Sequence, residues 1–139
     1  MIPLPAIVLC CVFLALSALH VYWVFAGQSG LDRVVPTQDE KALFQPGKAS
    51  TLLVAGALFV AALVSIWRGF YLHVGPDWIP RASIWALAVV FALRAIGDFR
   101  YIGIFKRVRD TKFARNDTLF FSPLCGAISV LATWLALAY

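Results

Sequence analysis

The sequence predicts an all-α fold: a four-helix transmembrane bundle with short loops. Three observations carry that expectation. The apolar fraction is 62% and the charged fraction 14%, against about 45–50% and about 25% in soluble domains. A chain of 139 residues cannot hide such an excess in its own core, because small domains bury a limited share of their surface. Four apolar segments, at about 2–26, 49–67, 79–103 and 119–139, approach or exceed the roughly 20 helical residues that cross the hydrocarbon layer. Backbone polar groups must be paired in lipid, so these segments are expected as helices. The chain is therefore read as a single integral membrane domain over 1–139.

Each segment has its own justification. The first lacks a basic leader and a small-x-small cleavage site, and it is too long for a signal core, so it is kept as a span. Pro36, Pro46, Pro76 and Pro80 fall between the runs or at their edges. Asp77 is placed to cap the third helix. The third segment ends at Gly97 or continues toward Phe105. Asn116, Asp117 and Thr118 offer capping side chains for the fourth, and Pro123 falls near its first turn, where a missing N–H does little harm. Trp23, Trp67, Trp78, Tyr101 and Tyr139 lie near the ends, as an interfacial aromatic belt requires. Small residues recur at four-residue spacing, Ala57, Ala61 and Ser65 in the second span and Ala88 and Ala92 in the third, and are read as packing stripes within the bundle.

The net charge is +5, and its distribution is a topology signal. The first loop holds Arg33, Lys41 and Lys48. The third holds Arg100, Lys106, Arg107, Arg109, Lys112 and Arg115. The second holds only Arg68 and Arg81. Four spans put the first and third loops on one side, and the basic bias makes that side cytoplasmic, with both termini outside. No aromatic interleaving suggests a nucleic-acid partner. Membrane lipids are the expected partners, with a homo-oligomer or a larger membrane complex as further candidates.

Arg94 stands inside the third apolar run. A charge there costs several kcal/mol unless it is paired, hydrated or able to reach the interface. Asp98, four residues on, is its expected partner on the same helical face. The antiparallel arrangement brings other polar residues to the same depth: His20 and Tyr22 from the end of the first helix, Asp117 and Ser122 from the start of the fourth, and Arg100 and Tyr101 just beyond Asp98. These eight residues form the candidate ligand-binding layer. Three readings stay open. The pair is a structural device, with Arg94 reaching the headgroups and His20 bonding a carbonyl. The layer is a pocket in which Arg94 and Arg100 receive an anionic group. Or His20 and Asp98 do acid–base chemistry.

Several chemistries are excluded or disfavoured. Cys10, Cys11 and Cys125 have no metal-ligand spacing and are read as small hydrophobes. His73 falls in the second loop, on the side opposite His20, which disfavours a bis-histidine haem. No cofactor is expected, and nucleophile motifs and phosphate-cradling glycine loops are absent. The basic residues Lys106, Arg107, Arg109, Lys112 and Arg115 are candidate lipid-headgroup contacts, each contributing about 1 kcal/mol beside an anionic leaflet.

One block is distinctive: Arg94-Ala95-Ile96-Gly97-Asp98-Phe99-Arg100-Tyr101-Ile102-Gly103-Ile104-Phe105-Lys106-Arg107. Phe113-Ala114-Arg115-Asn116-Asp117-Thr118, Ser122-Pro123-Leu124-Cys125 and His20-Val21-Tyr22-Trp23 accompany it. Together they resemble a family of small bacterial four-span membrane proteins known only as a domain of unknown function. The resemblance implies an integral inner-membrane protein. It implies no catalytic residue and no cofactor. The expected role is non-enzymatic: binding or passing a small or lipidic ligand at the polar layer. An accessory subunit of a larger complex is the first alternative, and an enzyme using His20 and Asp98 the second.

Overall fold

Long apolar runs become the helices. In the computed structural model, which describes residues 3–26, 34–38, 41–43, 46–72 and 74–138, α1 spans Leu4–Ala26, α2 Lys48–Gly69 and α3 Trp78–Ile96. A fourth continuous helical stretch, Lys112–Ala138, comprises α4 (Lys112–Asn116), a π-helical turn (Asp117–Phe121) and α5 (Ser122–Ala138). All four stretches are long and apolar enough to cross a membrane. The small additions are β1 (Thr37–Gln38) and β2 (Lys41–Ala42), paired antiparallel with Thr37 opposite Ala42. Arg33, His73 and Tyr139, used in the sequence reading, lie outside the described residues.

The helices pair as α1 with α2 and α3 with α5, the two most extensive contacts in the bundle. Polar side chains tie each pair: Ser17 donates to the Ala55 carbonyl at 2.8 Å, and Ser129 donates to the Ala88 carbonyl at 2.8 Å. The shared core is narrow, built from Leu9, Phe13, Ala62, Ile84, Ala88, Ile128, Ala132 and Leu135. Outside it, Leu53, Phe59, Val90, Val130 and Leu137 stand exposed along the spans. Bundles packed through small residues suit lipid, where close backbone approach replaces hydrophobic collapse. The stripe in α2 runs through Ala55, Ala62, Ser65 and Gly69, with Ala61 beside it, while Ala57 faces outward.

Two boundaries differ from expectation for physical reasons, and one expected cap does not form. Helix α3 stops at Ile96 instead of continuing toward residue 103, because Gly97 turns to φ +84, a region open mainly to glycine. The chain then folds back, so that the Ile104 N–H reaches the Ala95 carbonyl at 2.9 Å. The last stretch begins earlier than expected. Thr111 is its N-cap, its Oγ1 accepting from the Ala114 N–H at 3.0 Å, so Asn116, Asp117 and Thr118 lie inside the helix. Pro123 is then interior, where it has no N–H for the carbonyl four residues back. The π turn just before it, with the Ser122 N–H bonded to the Asp117 carbonyl, supplies the local widening. Asp77 occupies the N-cap position of α3 without a side-chain capping bond.

At the end opposite Arg94, Gly69 lets α2 meet the start of α1. A Cβ there would overlap the Ala6 Cβ and lie 3.1 Å from the Pro3 Cβ. Gly69→Val is expected to destabilise by about 1–3 kcal/mol through overpacking. Gly56→Ala, where a Cβ would meet nothing within 4 Å, is expected to cost nothing. Thermal unfolding of both variants in one detergent checks the contrast.

Candidate functional site

Gly97 and Gly103 shape the end of the bundle. Both have positive φ, +84 and +94. A Cβ on Gly97 would overlap the Ile102 carbonyl, and one on Gly103 would overlap the Ile96 carbonyl. The loop therefore crosses itself at two side-chain-free positions. Asp98 organises the crossing: its Oδ1 accepts from the N–H groups of Arg100 (2.9 Å), Tyr101 (2.8 Å) and Ile102 (2.9 Å). Burial pushes the Asp98 carboxyl up, but the three amide donors outweigh it and hold the group below its ordinary value.

The centre of the site is Asp117. Its Oδ1 accepts from Arg94 Nη2 at 2.9 Å. Its Oδ2 accepts from the Gly103 N–H at 2.7 Å and from Lys106 Nζ at 3.1 Å. Lys106 Nζ also donates to the Gly103 carbonyl at 3.0 Å and to Thr118 Oγ1 at 2.6 Å. An ammonium has three donors, and all three are used. The side chains of Asp117 and Lys106 are 0% and 1% exposed, and that of Arg94 is 31% exposed. So three segments, the end of α3, the loop and the π turn, converge on one carboxylate.

Two cations face that single anion. Among the described residues, Arg94 Nη1 and Ser122 Oγ are buried and have no hydrogen-bond partner. Ser122, fully buried, lies at the start of α5, just past the π turn that carries Asp117. The cluster can thus offer one surplus positive charge and two polar atoms that are not satisfied internally.

The partner of Arg94 is Asp117, not Asp98. Gly97 ends the helix before Asp98, so the one-turn geometry that would have joined Asp98 to Arg94 does not form. Lys106, expected at the headgroups, turns inward instead, because the carboxylate and two further oxygens wait at the position its loop reaches. His20 contacts its own helix, Nδ1 donating to the Leu16 carbonyl at 2.7 Å, and its ring meets Trp23 edge-on at 4.9 Å. Tyr22 is 63% exposed and points away from the bundle. Arg100 lies over the Tyr101 ring at 5.0 Å, and Tyr101 Oη donates to Gln38 Oε1 at 3.1 Å. That last bond ties the third loop to the β1–β2 hairpin of the first. Arg107, Arg109, Lys112 and Arg115 are exposed on the same end, with Arg109 Nε donating to the Lys106 carbonyl at 3.3 Å.

Of the eight proposed layer residues, Arg94 and Asp117 meet, and Ser122 is buried beside the π turn. Asp98, Arg100 and Tyr101 belong to the loop's own scaffold. Lys106, Thr118 and the Gly103 N–H are the participants that sequence reasoning did not assign to the layer. The available signal was position: Lys106 and both glycines fall within the one block dense in charged, aromatic and glycine residues.

A family described as a protein of unknown function (DUF3995) matches residues 13–132. The chain belongs to this family. The match spans the whole of the Asp117 cluster and the loop that serves it. No curated protein and no solved structure matches the chain. Membership and fold together make this a multi-pass membrane protein of the family, with four membrane-spanning stretches.

Removing the buried carboxylate strands two cations. Asp117→Ala is expected to lower stability by about 3–5 kcal/mol, whereas a combined Arg94→Met, Lys106→Met, Asp117→Leu variant recovers most of the loss, since apolar replacements of a whole buried ion cluster are often neutral. Thermal unfolding in detergent decides both. Asp98 makes a separate prediction. Its carboxyl is depressed in the folded state, so its contribution is present above the ordinary value of 3.8 and is lost as pH falls through the lower folded value. The amide resonances of Arg100, Tyr101 and Ile102 are expected to hold steady from neutral pH down to about 4 and to shift together only below it.

Proposed function

We propose that this protein is a non-enzymatic inner-membrane protein that binds an anionic group, such as the phosphate of a lipid headgroup, at the Asp117 cluster. The single observation that carries the reading is the imbalance there: two cations against one carboxylate, with Arg94 Nη1 and Ser122 Oγ buried and unpartnered. Buried donors without partners are costly, and a surplus buried charge more so. An anion arriving beside the partly exposed Arg94 relieves both costs. Arginine suits it, because its fork gives a phosphate or carboxylate two parallel bonds while one terminal nitrogen stays on Asp117. The basic residues around this end of the bundle, Arg100, Arg107, Arg109 and Arg115, support a cytoplasmic placement and would concentrate anions there.

A second reading has its own support. Every Lys106 donor and three Asp117 contacts are consumed internally, which is what a staple of an accessory subunit in a larger complex needs. The acid–base reading has less: His20 is committed to Leu16 and Asp98 to three loop amides, and no hydrogen bond joins the two among the described residues.

The test is lipid retention by the purified protein in nanodiscs of mixed zwitterionic and phosphatidylglycerol composition, read by native mass spectrometry, with inorganic phosphate and glycerol phosphate as competitors. Arg94→Gln and Ser122→Ala are expected to weaken anion retention by about tenfold or more, since a charge-assisted bond contributes about 1.5–3 kcal/mol. Competition by glycerol phosphate alone points to a soluble anion, and its failure to compete points to the intact lipid. Undiminished retention in the folded Arg94→Met, Lys106→Met, Asp117→Leu variant leaves the staple as the better account. A periplasmic reporter fused after Tyr139 is expected to be active, in keeping with termini outside.

A further inference from the structure

The loop that serves Asp117 also carries apolar surface that stands exposed among the described residues. Phe99, Ile104 and Phe105 are 56%, 57% and 60% exposed. The two phenyl rings lie 6.3 Å apart in a tilted pair. Phe99 holds φ +62, uncommon for a bulky residue, and the loop cannot relax to hide it. Asp98 fixes the three amides that follow, Gly97 and Gly103 cross in contact, and Lys106 is locked beneath. The patch is therefore held outward.

Two features identify what covers it. The patch adjoins lipid-facing surface: Leu93 and Ile96 just before it in α3, and Leu119 and Phe120 in the π turn that Gly103 and Lys106 contact, are all exposed. Exposed arginines alternate with it, Arg100 beside Phe99 and Arg107 and Arg109 after Phe105. Apolar rings interleaved with guanidinium groups match the boundary of an anionic leaflet, where rings enter the acyl edge and cations meet phosphates.

We propose that residues 97–111 form an interfacial wedge, with Phe99, Ile104 and Phe105 inserted at the headgroup–acyl boundary and Arg107 and Arg109 engaging anionic headgroups. This surface makes no use of Arg94 Nη1 or Ser122 Oγ, the two groups on which the proposed anion site rests. The wedge anchors one end of α3 and of the last helix at a fixed depth.

The experiment places p-benzoylphenylalanine at position 105, and separately at the exposed Asp110, in the full chain in nanodiscs. After irradiation, adducts are identified by mass spectrometry. The expected result is lipid acyl adducts at position 105, at least several-fold more than at position 110. An Arg107→Gln, Arg109→Gln pair is expected to lower the yield in phosphatidylglycerol discs and not in purely zwitterionic ones. Equal yields at the two positions, or adducts mainly to a second copy or another polypeptide, overturn the proposal, and so does a yield indifferent to the arginine pair in both disc types.

Discussion

A single carboxylate governs this end of the molecule. Asp117 sits in a π turn and draws in a helix end, a loop amide and a lysine that the sequence places well outside the span. Without it, Arg94 would have to reach the headgroups and Lys106 would have to leave the interior. The loop between them would then lose its ties to the last helix. The π turn follows from the same constraint read along the chain. Pro123 removes a backbone bond one turn later, and the widened turn before it sets where Asp117 and the buried Ser122 fall.

Two aspartates, Asp98 inside the block and Asp117 beyond it, divide the labour by environment. Asp98 is surface-exposed and collects backbone amides, so it shapes the loop. Asp117 is fully buried and collects charges, so it fixes the loop to the bundle. Both tasks need the glycines, since Gly97 and Gly103 allow main chain to touch main chain where any Cβ would intervene. The density of charged and glycine residues in this short block is accounted for by that double task, with Arg94 Nη1 and Ser122 Oγ left over.

The fold was largely legible because hydrophobic length and the pairing demand of lipid act on whole segments and tolerate local error. All four spans and the shared end of the first and third loops follow from counting apolar and basic residues, and the Tyr101–Gln38 bond joins those loops as that count requires. The site was legible only as a layer. Arg94 and Asp117 were placed at one depth by topology, yet the pairing of Arg94 went to the nearest carboxylate in sequence. That choice assumed a helix through Gly97, and one glycine in a left-handed conformation removes the assumption. Lys106 was misplaced for a related reason. A lysine amid other basic residues reads as solvated, and nothing in its sequence neighbourhood reveals an acceptor set supplied by Gly103, Asp117 and Thr118 through folding back of the loop.

The cluster's composition bears on why it exists. A buried ion group is poor at adding stability compared with well-packed apolar residues, and this bundle has ample apolar residues to spare. What charge adds is directional choice: the loop path must bring two cationic side chains and an amide to the same two oxygens. A four-helix bundle with a narrow core of alanine, leucine and phenylalanine leaves the ends of its helices weakly specified, since small-residue packing tolerates sliding. Fixing α3 against the last helix by a carboxylate at one end, and α2 against α1 by the Gly69 contact at the other, pins each pair at a different level. The cost is a residual positive charge below the surface, and it falls beside Arg94, the one cation of the cluster that keeps contact with the exterior.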